Sequence, residues 1–144
     1  MGLASLTAVV LTSASLMAQS APTSVTFLCA QFTGGYYAAP AWRLESDGLT
    51  GQNVVVTFSG ERQLGHISWR RGTDAPYYES PGIGTQMKSG FSVTVFADEY
   101  IESYVYNAGT TELLYSAIRS GSTLLPNGIK VYKGRCVPAG NPAK

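Results

Sequence analysis

Beyond its first twenty or so residues the chain alternates apolar and polar side chains with a period of two. No stretch there sustains the 3.6-residue period of an amphipathic helix. Strands therefore have to build the core. Runs rich in β-branched and aromatic residues predict strands over Ser24–Ala30, Trp42–Glu45, Asn53–Ser59, His66–Arg71, Phe91–Phe96, Tyr100–Tyr106, Thr111–Arg119 and Ile129–Cys136. A short one over Tyr77–Glu79 is added to these. Ser46-Asp47-Gly48 and Ala97-Asp98-Glu99 read as turns, and Asn107–Thr110 as a hairpin loop. Phe32–Pro40 reads as a small-residue loop, and Gly72–Gly90 holds too many Gly and Pro for one regular element. No connection is long enough to hide a crossover helix, so the pairing is mostly antiparallel. The expectation is an all-β fold, a small antiparallel β-barrel or β-sandwich of about 7–9 strands.

Composition narrows the partners. Charged residues make up 13% of the chain, about half the usual share, which leaves too few for the solvated faces of long helices. Ten basic and nine acidic residues give a net charge of +1, so nothing attracts a polyanion over long range, and nucleic acid is not an expected partner. The adjacent pair Arg70-Arg71 reads as a solvated strand end.

The expected organisation is a signal peptide over residues 1–20, one β-rich domain over 21–137 and a disordered tail over 138–144. From Leu3 to Met17 the chain is apolar or small and uncharged; Ala18 and Ser20 then meet the small-x-small rule for cleavage before Ala21. No Lys or Arg precedes the run. A short membrane anchor is the competing reading, but Ser5, Thr7, Thr12, Ser13 and Ser15 make the run weak for a span of about 20 apolar residues. A secreted or periplasmic protein, off the membrane after cleavage, is expected. Its two cysteines, Cys29 and Cys136, are then expected to form one disulfide joining the first strand to the last, since their spacing does not suit zinc.

No catalytic residue, metal site or cofactor is expected. His66 is the sole histidine, no Gly-x-Ser-x-Gly elbow is present, and both cysteines are taken. Asp98, Glu99 and Glu102 cluster in sequence, yet a turn and the strand after it are where acids are ordinarily solvated. Gly34-Gly35 and Pro81–Gly84 read as turns, because no strand-to-helix context follows them.

The aromatics carry more. Alternation puts Tyr100, Glu102, Tyr104 and Tyr106 on one face of their strand and Ile101, Ser103 and Val105 on the other. If the aliphatic face points inward, the tyrosines line an outer surface suited to sugar rings or a protein partner. Tyr36, Tyr37, Tyr77 and Tyr78, with Trp69, fall in loops or at strand ends, where recognition commonly resides. The competing reading is that tyrosine is simply a good strand former.

One cysteine in the first strand and one at the end resembles the layout of small periplasmic lysozyme inhibitors with an eight-stranded barrel. The inhibitory loop pattern of that family, Ser-Gly followed by Arg and Tyr, has no match here, so no functional residue carries over. The resemblance implies an inhibitor as one possibility. The function expected is non-catalytic binding of a carbohydrate or another small ligand through Tyr100, Tyr104, Tyr106, Tyr36, Tyr37, Tyr77, Tyr78 and Trp69. The alternatives are an inhibitor or protein-partner module and a structural subunit of an extracellular assembly.

Overall fold

In the computed structural model, residues 23–45, 49, 51–121 and 127–140 are described. The expected signal peptide, the Ser46–Gly48 turn and the last four residues of the expected tail lie outside them. Nine strands follow one another: β1 (Ser24–Ala38), β2 (Leu44–Glu45), β3 (Gln52–Ser59), β4 (Leu64–Arg71), β5 (Tyr78–Met87), β6 (Gly90–Phe96), β7 (Tyr100–Asn107), β8 (Glu112–Arg119) and β9 (Gly128–Pro138). Every pairing is antiparallel, in the order β1-β3-β4-β5-β6-β7-β8-β9, and β9 returns to β1 to close an eight-stranded barrel. β2 adds a ninth strand outside this ring, on Tyr36 and Tyr37 of β1. Closure decides for barrel over sandwich and removes both free edges.

Cys29 and Cys136 stand opposite each other in the closing β1–β9 ladder and form the expected disulfide, 107 residues apart in sequence. Such a bond is expected in an oxidising compartment. Among the described residues no helix is long and apolar enough to cross a membrane.

Two stretches expected to be irregular are strand, and each has a physical reason. Phe32–Pro40 reads as a loop, but β1 runs through it to Ala38. A register shift between Ala30 and Thr33, with Gln31 at φ 56°, makes a bulge. The bulge bends the strand and turns Phe32 toward the core, where its ring lies 5.2 Å from that of Trp69. Gly134 on β9 admits that ring: a Cβ there would stand 2.6 Å from Phe32 Cε1.

The second is Gly72–Gly90, where β5 spans ten residues rather than three. Its halves pair with different neighbours, Tyr78–Ile83 with β4 and Ile83–Met87 with β6. Pro81 lies in the half that has no β6 partner, so its missing N–H interrupts no ladder on that side. The inward glycines of this region are packing features. A Cβ on Gly65 would meet both γ-methyls of the fully buried Val93. Gly65→Ala should therefore destabilise the barrel by about 2 kcal/mol through overpacking, read from the urea midpoint. At its C-terminal end β9 reaches Pro138, one residue into the expected tail.

The interior stacks in rows set by the register. Phe91, Tyr106, Leu113 and Gly134 face one another across β6–β9, and above them come Val93, Tyr104, Tyr115 and Tyr132. At the lower end Phe58 stacks on Phe91 at 4.6 Å and Phe27 on Tyr106 at 4.2 Å, beneath the tight hairpins of Gly60–Gln63, Lys88–Ser89 and Ala108–Thr111. That end is filled. The other carries the longer connections and is not.

Candidate functional site

The upper end is hollow beside three small inward residues, Ala117, Gly128 and Ala38. The next interior row reads Val95, Glu102, Ala117, Lys130 and Tyr36, and above it stand Tyr100, Arg119, Gly128 and Ala38. Ala117, Gly128 and Ala38 occupy places where the lower rows carry tyrosine, leucine and phenylalanine. A cavity of about 840 Å³ results, within the range of small-molecule sites.

Six of the eight aromatic residues nominated from sequence line it: Tyr36, Tyr37, Tyr77, Tyr78, Tyr100 and Trp69. The remaining two do not. Tyr104 is fully buried directly below the cavity, and Tyr106 lies at the filled end, beside a smaller hollow of about 400 Å³. The outer tyrosine face that follows from an inward aliphatic face is therefore corrected. The alternating faces of β7 fall as the pattern requires, but the tyrosines point in, while Ile101 is 45% exposed outside. Burying the larger, aromatic face removes more apolar surface from water, provided each hydroxyl finds a partner.

That partner is Glu102. Its Oε2 accepts hydrogen bonds from Tyr78 and Tyr104, both at 2.9 Å, and its Oε1 accepts one from Tyr115 at 3.0 Å. Tyr104 Oη in turn accepts from Trp69 Nε1 at 2.8 Å. Tyr100 Oη stands 3.4 Å from Tyr78 Oη. The expected Asp98–Glu99–Glu102 cluster is thus split: the first two are exposed on the β6–β7 turn, and Glu102 is half-buried inside the barrel. At the rim, the Tyr36 hydroxyl donates to Glu45 at 2.7 Å and the Tyr77 hydroxyl to Gln52 Oε1, tying β2 and the β4–β5 connection to their neighbours.

Burial pushes the hydroxyls of Tyr104 and Tyr115 far above the ordinary tyrosine range, and the negative charge of Glu102 adds to the shift. Tyr78 moves the same way, again by burial first. The raised folded-state values mean that this stability is fully present below pH about 10, where unfolded tyrosine titrates. It is lost as pH climbs from there toward the folded-state values, because the unfolded chain releases protons that the folded one holds. For Tyr104 and Tyr115 together the slope is about 2.7 kcal/mol per pH unit above that point. A tyrosinate absorbance titration should show these rings silent near pH 10 and ionising only as the fold opens.

Sequence reasoning missed Tyr115, Ala117, Arg119 and Lys130. Parity could have found Lys130: it sits an even number of residues from Cys136, whose disulfide fixes the inward face of β9. His66 is exposed on β4, with its backbone opposite Thr57 and Pro81. Among the described residues no three His, Cys, Asp or Glu side chains gather as a metal site.

The fold and the site define a class, a closed antiparallel barrel with an aromatic, carboxylate-floored cavity at one end. Comparison of the chain with models of protein families, with curated proteins and with solved structures finds no match.

Proposed function

We propose that this chain is an exported, non-catalytic binding protein that takes a small ligand, carbohydrates included, into the cavity at the open end of its barrel. One observation supports this above others: aromatic residues from separate parts of the sequence converge on a hollow about 840 Å³ in volume, with a carboxylate at its floor. A stable core gains nothing from leaving such space beside Ala117, since large-to-small positions cost stability.

The test is a thermal-shift screen of sugars, sugar acids and small aromatic acids against the protein and an Ala117→Trp variant, whose indole would occupy the hollow. A ligand at one hundred times its Kd stabilises by about 2.7 kcal/mol. The expected result is at least one compound that raises Tm for the parent and not for Ala117→Trp. Equal shifts in both proteins would remove the cavity from the account.

A second reading, self-association as a subunit of a larger assembly, is favoured by a separate observation. Phe96, Ile101, Ile118 and, at the cavity rim, Ile129 and Tyr37, followed by Leu44, are cross-strand neighbours in one row around the outside of the upper barrel. Each is at least 40% exposed. A contiguous apolar row of this kind commonly marks an interface, and a second copy of the chain is the partner proposed for it. Light scattering should then report a dimer or larger, reduced to monomer by Ile118→Lys with the Tm nearly unchanged.

A further inference from the structure

Resting on the cavity-binding reading, the direction of the hydrogen bonds at the cavity floor narrows the class of ligand. Tyr78 gives its single proton to Glu102 Oε2. In the 3.4 Å contact between the Tyr78 and Tyr100 hydroxyls the donor is therefore Tyr100. Tyr115 likewise gives its proton to Glu102. The donors run one way, from Tyr100 to Tyr78 to the carboxylate. Toward the cavity the oxygens of Tyr78, Tyr100 and Tyr115 thus present lone pairs, and a ligand group that meets them has to bring the hydrogen.

A strong donor stands among these acceptors. Arg119 is the cross-strand partner of Tyr100 in the β7–β8 ladder, and both line the cavity. A guanidinium donates and does not accept. Tyr115, Ala117 and Arg119 follow one another along the inward face of β8. The space left by the small Ala117 side chain therefore has an acceptor below it and a donor above. Glu102 borders the same space from β7, as the cross-strand partner of Ala117. Acceptors and donor are interleaved on adjacent strands, at about 5 Å across the ladder and about 7 Å along it.

A group of single polarity fits this lining poorly. A carboxylate drawn to Arg119 would lie beside the Tyr100 lone pairs and one row from the Glu102 charge. An ammonium drawn to those oxygens would lie beside Arg119. A hydroxyl both donates and accepts, and two hydroxyls on adjacent carbons can serve both partners at once. The rings of Trp69, Tyr77 and Tyr78 supply apolar surface around them, which suits the CH-rich face of a saturated ring. We infer that the cavity takes a neutral sugar ring or cyclic polyol, held by a vicinal diol that donates to Tyr100 Oη and accepts from the Arg119 guanidinium.

The test is isothermal titration calorimetry of the full domain with the methyl glycosides of glucose, galactose and mannose, neutral rings whose adjacent hydroxyls are differently disposed. Two charged probes without a diol, 3-phenylpropionate and phenethylamine, are titrated beside them. At least one glycoside is expected to bind, with both charged probes at least tenfold weaker. Removing either of two adjacent hydroxyls from that glycoside should weaken it at least tenfold, since each removal leaves a buried partner unmatched. Arg119→Met should erase the loss at one of the two positions, and Tyr100→Phe the loss at the other. Circular dichroism of each variant checks that the barrel is formed. Equal binding of a glycoside and all its monodeoxy derivatives would overturn the diol assignment and leave the binding reading standing. So would tighter binding of a charged probe that is lost in Ala117→Trp. Failure of every probe to bind at millimolar concentration would overturn both.

Discussion

Replacing Cys29 and Cys136 together by serine is expected to lower the unfolding free energy by about 4 kcal/mol and Tm by roughly 15 °C. The size of the effect follows from topology. The bond closes a loop with a separation of 107 residues, and in the chain-entropy model a loop of that length restricts the unfolded chain by about 4.7 kcal/mol, less any native strain. It also acts at the one seam joining strands from opposite ends of the chain. Every other ladder of the eight-stranded ring pairs strands that follow closely in sequence; the β1–β9 ladder alone must wait for the whole meander. The double variant should still reach the barrel, because nine residue pairs hold that ladder besides Cys29–Cys136. It should fold more slowly, since seam closure is the highest-order contact in the molecule. Urea titrations of parent and variant measure the difference. A loss below about 1 kcal/mol would mean that the seam holds itself and that the bond is redundant to it.

The second large effect centres on Glu102. Glu102→Ala removes the acceptor of three tyrosine hydroxyls at once. Tyr104 is fully buried and Tyr115 nearly so, and an unpaired buried donor costs about 1–3 kcal/mol. Tyr78 is only half-buried at the cavity wall, where water can replace the carboxylate. The expected destabilisation is about 3 kcal/mol, with Glu102→Gln losing about half of that because one oxygen still accepts. The pattern is distinctive. A carboxylate held only by surface solvation, as acids after a turn ordinarily are, would change stability by less than about 0.5 kcal/mol on either substitution. Tyr104→Phe provides the cross-check: it deprives Trp69 Nε1 of its acceptor and should cost about 2 kcal/mol, and the combined Tyr104→Phe, Glu102→Ala loss should fall short of the sum.

Much of the fold can be read from the sequence, because period-two alternation is a direct consequence of strand geometry. β3, β4, β6, β7 and β8 fall within two residues of their expected bounds at each end. The disulfide and the adjacency of β1 and β9 follow from where the two cysteines lie. What the pattern does not carry is context. Gly34 and Gly35 look like turn residues, yet they sit in a strand because the backbone of β1 must pass close to Tyr132 and to Glu45. Pro81 looks like a breaker, yet it is harmless where one edge of β5 has no partner.

The candidate site shows the same division. Which residues of β7 share a face was legible; which face points inward was not, since both Ile101–Val105 and Tyr100–Tyr106 are apolar enough to fill a core. The deciding term is the pairing of the hydroxyls with Glu102, and that depends on β5 and β8 bringing Tyr78 and Tyr115 to the same point. No single-strand pattern contains that information. The small residues that open the cavity are equally silent in sequence: Ala117 and Gly128 are unremarkable until the register places them beside Glu102, Lys130 and Arg119.

The most direct test of the cavity as the working part of this molecule is a map of amide chemical shifts in the 15N-labelled domain, titrated with the compound that gives the largest thermal shift in the ligand screen. The account predicts the largest changes at Tyr100, Glu102, Ala117, Arg119 and Lys130, with Phe58, Phe91 and Tyr106 at the filled end unmoved. Changes confined to the filled end, or to the outer row of Ile101, Ile118 and Ile129, would contradict it.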